Sequence, residues 1–138
     1  MVFGVGRLII VLDSNEYINY LEKQSGILDE ILINEEITIY INEIIVKETL
    51  RNIDEHKKKE FYSLTSRRTF IAYNKKLPLQ LLIKYKKLGL KKGDMAIAAF
   101  CESIKADFLV TENRHFLKSK KFDKFRVLSL REFLKKLK

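Results

Sequence analysis

The stretch Arg7-Leu8-Ile9-Ile10-Val11-Leu12, followed by Asp13-Ser14-Asn15, decides the fold. Leu8 to Leu12 is apolar without alternation, the pattern of a strand covered on both faces, as in a parallel sheet. Asp13 ends it abruptly, and Ser14-Asn15 reads as a helix start. From Glu16 to about Ile33 the residues Tyr17, Ile18, Leu21, Ile27, Leu28, Ile31 and Leu32 fall at helical spacing, with Ser25-Gly26 breaking the segment in two. Ile37-Thr38-Ile39-Tyr40-Ile41 then returns as a second strand. A helical segment between two strands is a crossover and not a hairpin, so the two strands are expected to run parallel.

The same alternation continues. Asn42 is placed to cap a long helix carrying Ile45, Val46, Leu50 and Ile53. Asp54 to Lys76 is the most polar part and reads as one or two exposed helices anchored by Phe61, Tyr62, Leu64, Phe70 and Tyr73. Pro78 opens a helix to about Lys87, Gly89 ends it, and Asp94 begins a compact helix with Ile97, Ala98, Cys101 and Ile104. Asp107 to Thr111 is a third strand, Phe125 to Leu128 a shorter fourth, and Ser129 caps a basic helix through about Leu137. The reading is a single domain over residues 1–138 of the α/β class. It is a three-layer α/β/α arrangement around a central, mainly parallel sheet of four or five strands. In such sheets the ligand crevice lies outside the C-terminal strand edges, where the strand order reverses.

Composition narrows the possibilities. The chain has 138 residues, 46% hydrophobic and 33% charged, with one Pro and five Gly, which suits one globular domain with a sizeable core. No apolar run approaches the roughly 20 residues of a membrane-spanning helix, and no N-terminal run of roughly 7 or more matches a secretory signal. The expectation is a cytoplasmic protein with no membrane segment. Cys101 has no second cysteine to pair with, and His56 and His115 are too far apart in sequence to build a zinc framework with it. Lys and Arg number 27 against 18 Asp and Glu, a net charge of +9. Such an excess calls for a polyanionic partner, nucleic acid first, with an acidic protein or a membrane surface as the alternative.

Three acids stand where a charge is costly. Asp13 ends a buried strand, where an unpaired carboxylate loses hydration without aliphatic compensation; either something positive meets it or it caps the helix that follows. Glu48 borders the apolar stripe of Ile45, Val46, Leu50 and Ile53, and otherwise pairs with Lys47 or Arg51. Asp94 shares a helix face with Ile97, Ala98, Cys101 and Ile104, and otherwise serves as an N-cap after Gly93. Thr111-Glu112-Asn113 follows the third strand and should reach the same crevice as Asp13 if the two strands are parallel neighbours. Three carboxylates and a carboxamide make a hard, oxygen-only site of the kind that holds Mg²⁺ or Mn²⁺.

Four segments in order resemble the PIN domain, the family of metal-dependent ribonucleases that includes VapC-like toxins and RNA-processing nucleases. They are Leu12-Asp13-Ser14-Asn15; Asn42 to Glu48; Lys92-Gly93-Asp94 with Ile97-Ala98-Ala99; and Ala106 to Phe116. The resemblance spans nearly the whole chain. It implies Asp13, Glu48 and Asp94 as metal-binding acids, with Asn15 and Thr111 as polar supports. Many members have aspartate where Asn113 stands and others have asparagine, and Glu112 substitutes only if its turn rotates inward. Asp107, about 13 Å along the strand from Thr111, reads as structural, and His115 as a packing or hydrogen-bonding residue.

The expected chemistry is RNA phosphodiester hydrolysis by a water that one or two Mg²⁺ or Mn²⁺ ions activate for in-line attack, with no covalent enzyme intermediate. Lys57-Lys58-Lys59, Arg67-Arg68 and Lys91-Lys92 are candidates to steer the RNA backbone, or are simply solvated helix faces. Two other classes stay open: an RNA-binding PIN module with weak turnover, and a subunit whose main role is partnership. An antitoxin-like protein and a second copy of the chain are the expected protein partners.

Overall fold

The computed structural model describes residues 8–23, 26–118 and 122–138. Arg7 and Ser25, read above as the start of the first strand and part of the helix break, lie outside the described residues. The first half runs β1 (Leu8–Leu12), α1 (Ser14–Lys23), a 3₁₀ turn (Gly26–Leu28) into α2 (Asp29–Leu32), β2 (Ile37–Ile41), α3 (Glu43–Arg51), a second 3₁₀ turn (Glu55–Lys57), α4 (Lys58–Thr65) and β3 (Phe70–Ala72). The second runs α5 (Leu79–Lys87), α6 (Lys92–Ser103), β4 (Phe108–Val110), α7 (Arg114–Leu117), β5 (Arg126–Leu128) and α8 (Leu130–Leu137).

The strands form one sheet in the order β3-β2-β1-β4-β5, and every pairing in it is parallel. β1 is the middle strand, and Ile10, Val11 and Leu12 are wholly buried. That position explains why its apolar residues do not alternate. The chain steps outward from β1 to β2 and β3, then crosses back to β4 and β5 on the other side, so the strand order reverses between β1 and β4. Right-handed crossovers put α1, α3 and α4 on one face and α5 and α6 on the other. The helix pairings agree: α1 packs on α3 and α4, and α5 on α6.

One segment departs from the sequence reading. Residues 55–65 are helical as expected, but Phe70–Ala72 is the edge strand β3, paired in register with Ile39–Ile41. Phe70 is drawn into the core against Tyr17, with ring centroids 6.3 Å apart. A three-residue strand is too short to show a period, and its polar flanks disguise it.

The helix ends follow local chemistry. Asn42 caps α3 by accepting the Ile45 N–H at 3.0 Å, and Ser129 and Glu132 form a capping box at the start of α8. Gly89 ends α5 at φ +92°, where an L side chain is strained. Asp94 is not the N-cap of α6: the cap is Lys91, and Asp94 falls in the first turn. No described helix is long and apolar enough to cross a membrane.

Asp107 ties the two central strands together, as its structural reading requires. Its carboxylate accepts the Ile9 N–H at 2.8 Å, and its own N–H donates to the Ile9 carbonyl at 2.7 Å. Asp107→Ala is expected to cost about 1 kcal/mol, a melting temperature lower by a few degrees, because a strand N–H loses its acceptor. Melting curves of the variant and the parent check this.

Candidate active site at the β1 and β4 strand ends

The reversal point brings distant segments into one hydrogen-bonded run. Asp13, directly after β1, accepts the Thr111 hydroxyl on Oδ2 at 2.7 Å and the Ser14 N–H on Oδ1 at 2.8 Å. Thr111, directly after β4 and wholly buried, accepts the Asn113 N–H on its hydroxyl oxygen at 3.0 Å. The Asn113 side-chain amide in turn donates to Asp94 Oδ1 at 3.3 Å. Asn113 Oδ1 is occupied by the His115 N–H at 2.9 Å, capping α7. Asp13 and Asp94, 81 positions apart in the chain, are thus joined through two polar side chains. Strand pairing sets this arrangement: Leu12 stands opposite Val110, and the Asp13 N–H donates to the Val110 carbonyl.

Negative charge accumulates there. Burial, then the charge of Asp13, raises the Asp94 carboxyl from its ordinary value, with His115, the Asn113 hydrogen bond and Lys91 pulling the other way. Glu16, in the first turn of α1, is only 4% exposed, and one of its carboxylate oxygens has no hydrogen-bond partner. Burial, with smaller contributions from Glu112 and Asp13, raises its pKa to about 8. Glu112 spends one oxygen on the Leu130 N–H at 3.0 Å, at the start of α8. An all-oxygen set whose members repel one another, with a buried carboxylate oxygen left unpartnered, has the chemistry that suits a hard divalent cation. Among the described residues, no three Asp, Glu, His or Cys side chains gather closely enough to hold one as they stand.

Of the acids singled out from sequence, the structure brings Asp13 and Asp94 together and leaves Glu48 apart. The Glu48 side chain is 51% exposed, and its carboxylate stands 3.9 Å from the Arg51 guanidinium, one turn along α3. An exposed pair of this kind contributes little to stability. Asn15 is exposed in the first turn of α1.

The basic runs separate in the same way. Lys57 pairs with Glu60 at 3.5 Å and Lys58 with Glu55 at 2.8 Å, while Lys59 and Lys92 are exposed. Arg67 and Arg68 precede β3, which puts them at the N-terminal edge of the parallel sheet, opposite Asp13 and Thr111. Lys91 alone among these residues lines a cleft with one of the site acids, Asp94. His115, read as a packing or hydrogen-bonding residue, is exposed and lines the same cleft, and its backbone N–H donates to Asn113 Oδ1.

Glu16 is the residue that sequence reading passed over. The available signal was its place three residues after Asp13, one turn into a helix that starts at the strand end. An acid in the first turn of a helix is ordinary, so the position by itself draws no notice.

No protein-family model matches the chain, and no curated protein matches it. Among solved structures it is similar to a chain of VapBC2 from Rickettsia felis, crystallised bound to a DNA fragment from their promoter. The TM-score is 0.65 at 19% identity, over 88% of this chain and 98% of that one. The likeness is one of fold alone, a parallel α/β architecture shared over most of both chains.

Proposed function

We propose that the chain is a Mg²⁺- or Mn²⁺-dependent ribonuclease of the PIN type that hydrolyses RNA phosphodiester bonds. The observation that carries this reading is the run Asp13–Thr111–Asn113–Asp94 at the point where strand order reverses. The donor chemistry, the net charge of +9 and the VapC-like fold support it. Asp13 and Asp94 are the proposed ligands, with Glu48 as the third once it leaves Arg51. When bound, the ion would supply a nucleophilic water at neutral pH and neutralise charge developing on the leaving oxygen.

The protein's own part is orientation. Thr111 fixes the rotamer of Asp13, and the Asn113 amide holds Asp94 toward it. Asn15 is the proposed polar support beside them, and Glu112 bears on the site through its charge on Glu16. The VapBC2 likeness favours a protein partner of the antitoxin kind, and a homodimer is proposed with it.

A second reading rests on Asn113. Its amide donates to Asp94 and its carbonyl oxygen already accepts the His115 N–H, so it offers one neutral, partly engaged oxygen where many PIN domains place a carboxylate. That favours an RNA-binding module with weak turnover. Incubating purified protein with a labelled structured RNA, with Mn²⁺ and with chelator, separates the two. Mn²⁺-dependent cleavage is the expected result. RNA retained in chelator, with no cleavage in Mn²⁺, selects the second reading. Cleavage that persists without metal overturns the first.

A further inference from the structure

Beside Asp94 an open cleft of about 550 Å³ runs between the turn joining α5 to α6 and the short helix α7. Leu88, Gly89, Leu90 and Lys91 line one side, and Arg114, His115 and Lys118 the other. Three permanent cations and a histidine face a single acid, Asp94. Among the described residues, Lys91, Arg114 and Lys118 have no ion-pair partner. Lys57, Lys58 and Lys84, by contrast, each meet a carboxylate, and Lys84 meets both Glu102 and Asp123.

Cations that outnumber the carboxylates beside them, here three to the one of Asp94, repel one another, and binding a polyanion relieves that cost. The cleft begins at a proposed ligand of the reacting centre, and both of its basic walls are fixed by site elements. Lys91 caps the helix that carries Asp94, and Arg114 and His115 directly follow Asn113. A volume near 550 Å³ is that of a small-ligand pocket, enough for about one or two nucleotides and not for a duplex. At Gly89 a Cβ would meet nothing within 4 Å, so the wall there is open to a sugar or base.

We propose that this cleft is the track for single-stranded RNA next to the scissile phosphate, with Lys91, Arg114 and Lys118 binding successive backbone phosphates. The proposal rests on the ribonuclease reading and adds the path of the substrate. It also separates these cations from Lys59, Arg67 and Arg68, which are equally exposed but line no part of the cleft.

The test is binding of a labelled oligouridylate in chelator, where nothing is cleaved, measured across a series of KCl concentrations. The Lys91→Ala/Arg114→Ala/Lys118→Ala variant is compared with the charge-matched Lys59→Ala/Arg67→Ala/Arg68→Ala variant. Each phosphate contact on a single strand contributes about 0.7 to the slope of log affinity against log salt. The cleft variant should therefore lose about 2 from that slope and bind at least about tenfold more weakly at low salt, while the control keeps the parent's slope. Equal losses in both variants, or an unchanged cleft variant, overturn the track and leave the ribonuclease reading standing. An oligouridylate that binds no form of the protein overturns the track, whereas the ribonuclease reading is judged separately by Mn²⁺-dependent cleavage of the structured RNA. All six residues are surface cations, and matching melting curves confirm that the variants fold.

Discussion

Replacing Asp13 with asparagine is expected to lower Mn²⁺-dependent RNA cleavage at least about a hundredfold and to leave the fold intact. Polar residues that merely orient metal ligands are worth about 10- to 100-fold when removed, and a ligand is worth no less. Asn keeps the shape of the site. Its oxygen can still accept the Ser14 N–H, and its amide can donate to the Thr111 hydroxyl oxygen, whose proton then turns elsewhere. Removing one negative charge beside Asp94 and Glu16 relieves repulsion that both groups feel. The variant should therefore melt no lower than the parent in chelator, while Mn²⁺ stabilises it less. Asp94→Asn should behave alike. Thr111→Val, which keeps the buried shape and deletes only the hydroxyl, should cost about 10- to 100-fold in metal affinity. If Asp13→Asn and Asp94→Asn both cleave as the parent does, this site is not the reacting centre.

How far the sequence carries this picture depends on where each signal resides. The uninterrupted Leu8–Leu12 run disclosed a buried central strand because burial on both faces abolishes alternation, a property of the strand itself. Asp13, Thr111 and Asn113 could be gathered in advance because parallel topology sends every strand's C-terminal end to one edge. β3 escaped because a three-residue edge strand has no period, and its assignment depends on Tyr17 receiving the Phe70 ring. Glu48 was open to two readings, ligand or surface ion pair. Helical spacing puts it at the border of an apolar stripe, but a glutamate there turns to whichever cation is nearest, and the structure supplies Arg51. The basic runs stay ambiguous for a related reason: charge density along the chain does not reveal which lysines are paired and which face the site. Arg114 and Lys118 lie outside the runs singled out from sequence, yet they line the cleft that Lys57, Lys58 and Lys59 do not. Glu16 was hidden because its burial comes from tertiary packing and not from its place on the helix.

Glu16→Gln is expected to change the pH dependence of stability more than any other single substitution in the site. The Glu16 carboxyl titrates near 8 in the folded chain and near 4.5 once unfolded. Below about 4.5 both states hold the proton, and the side chain exerts no pH effect. As pH rises from about 4.5 to about 8, the unfolded chain releases the proton first, so the unfolded state is favoured and stability falls. Above about 8 the loss is complete. For a group this buried it amounts to a few kcal/mol. Asp94, also raised, adds a loss of the same sign. Glu102 acts in a different window: its pKa is lowered, against desolvation, by hydrogen bonds from Lys84 and Tyr85, so its contribution is lost only as pH falls below about 4.5. In chelator, melting curves from pH 5 to 9 should decline for the parent and flatten for Glu16→Gln, with the variant more stable at the alkaline end. Added Mn²⁺ should restore part of the parent's alkaline loss, because a ligand of the folded state stabilises it by mass action. A parent as stable at pH 9 as at pH 5 in chelator, or a variant with the parent's slope, would show that Glu16 is not held as a buried acid at this site. The electrostatic case for a cation beside Asp13 would then rest on Asp94 alone.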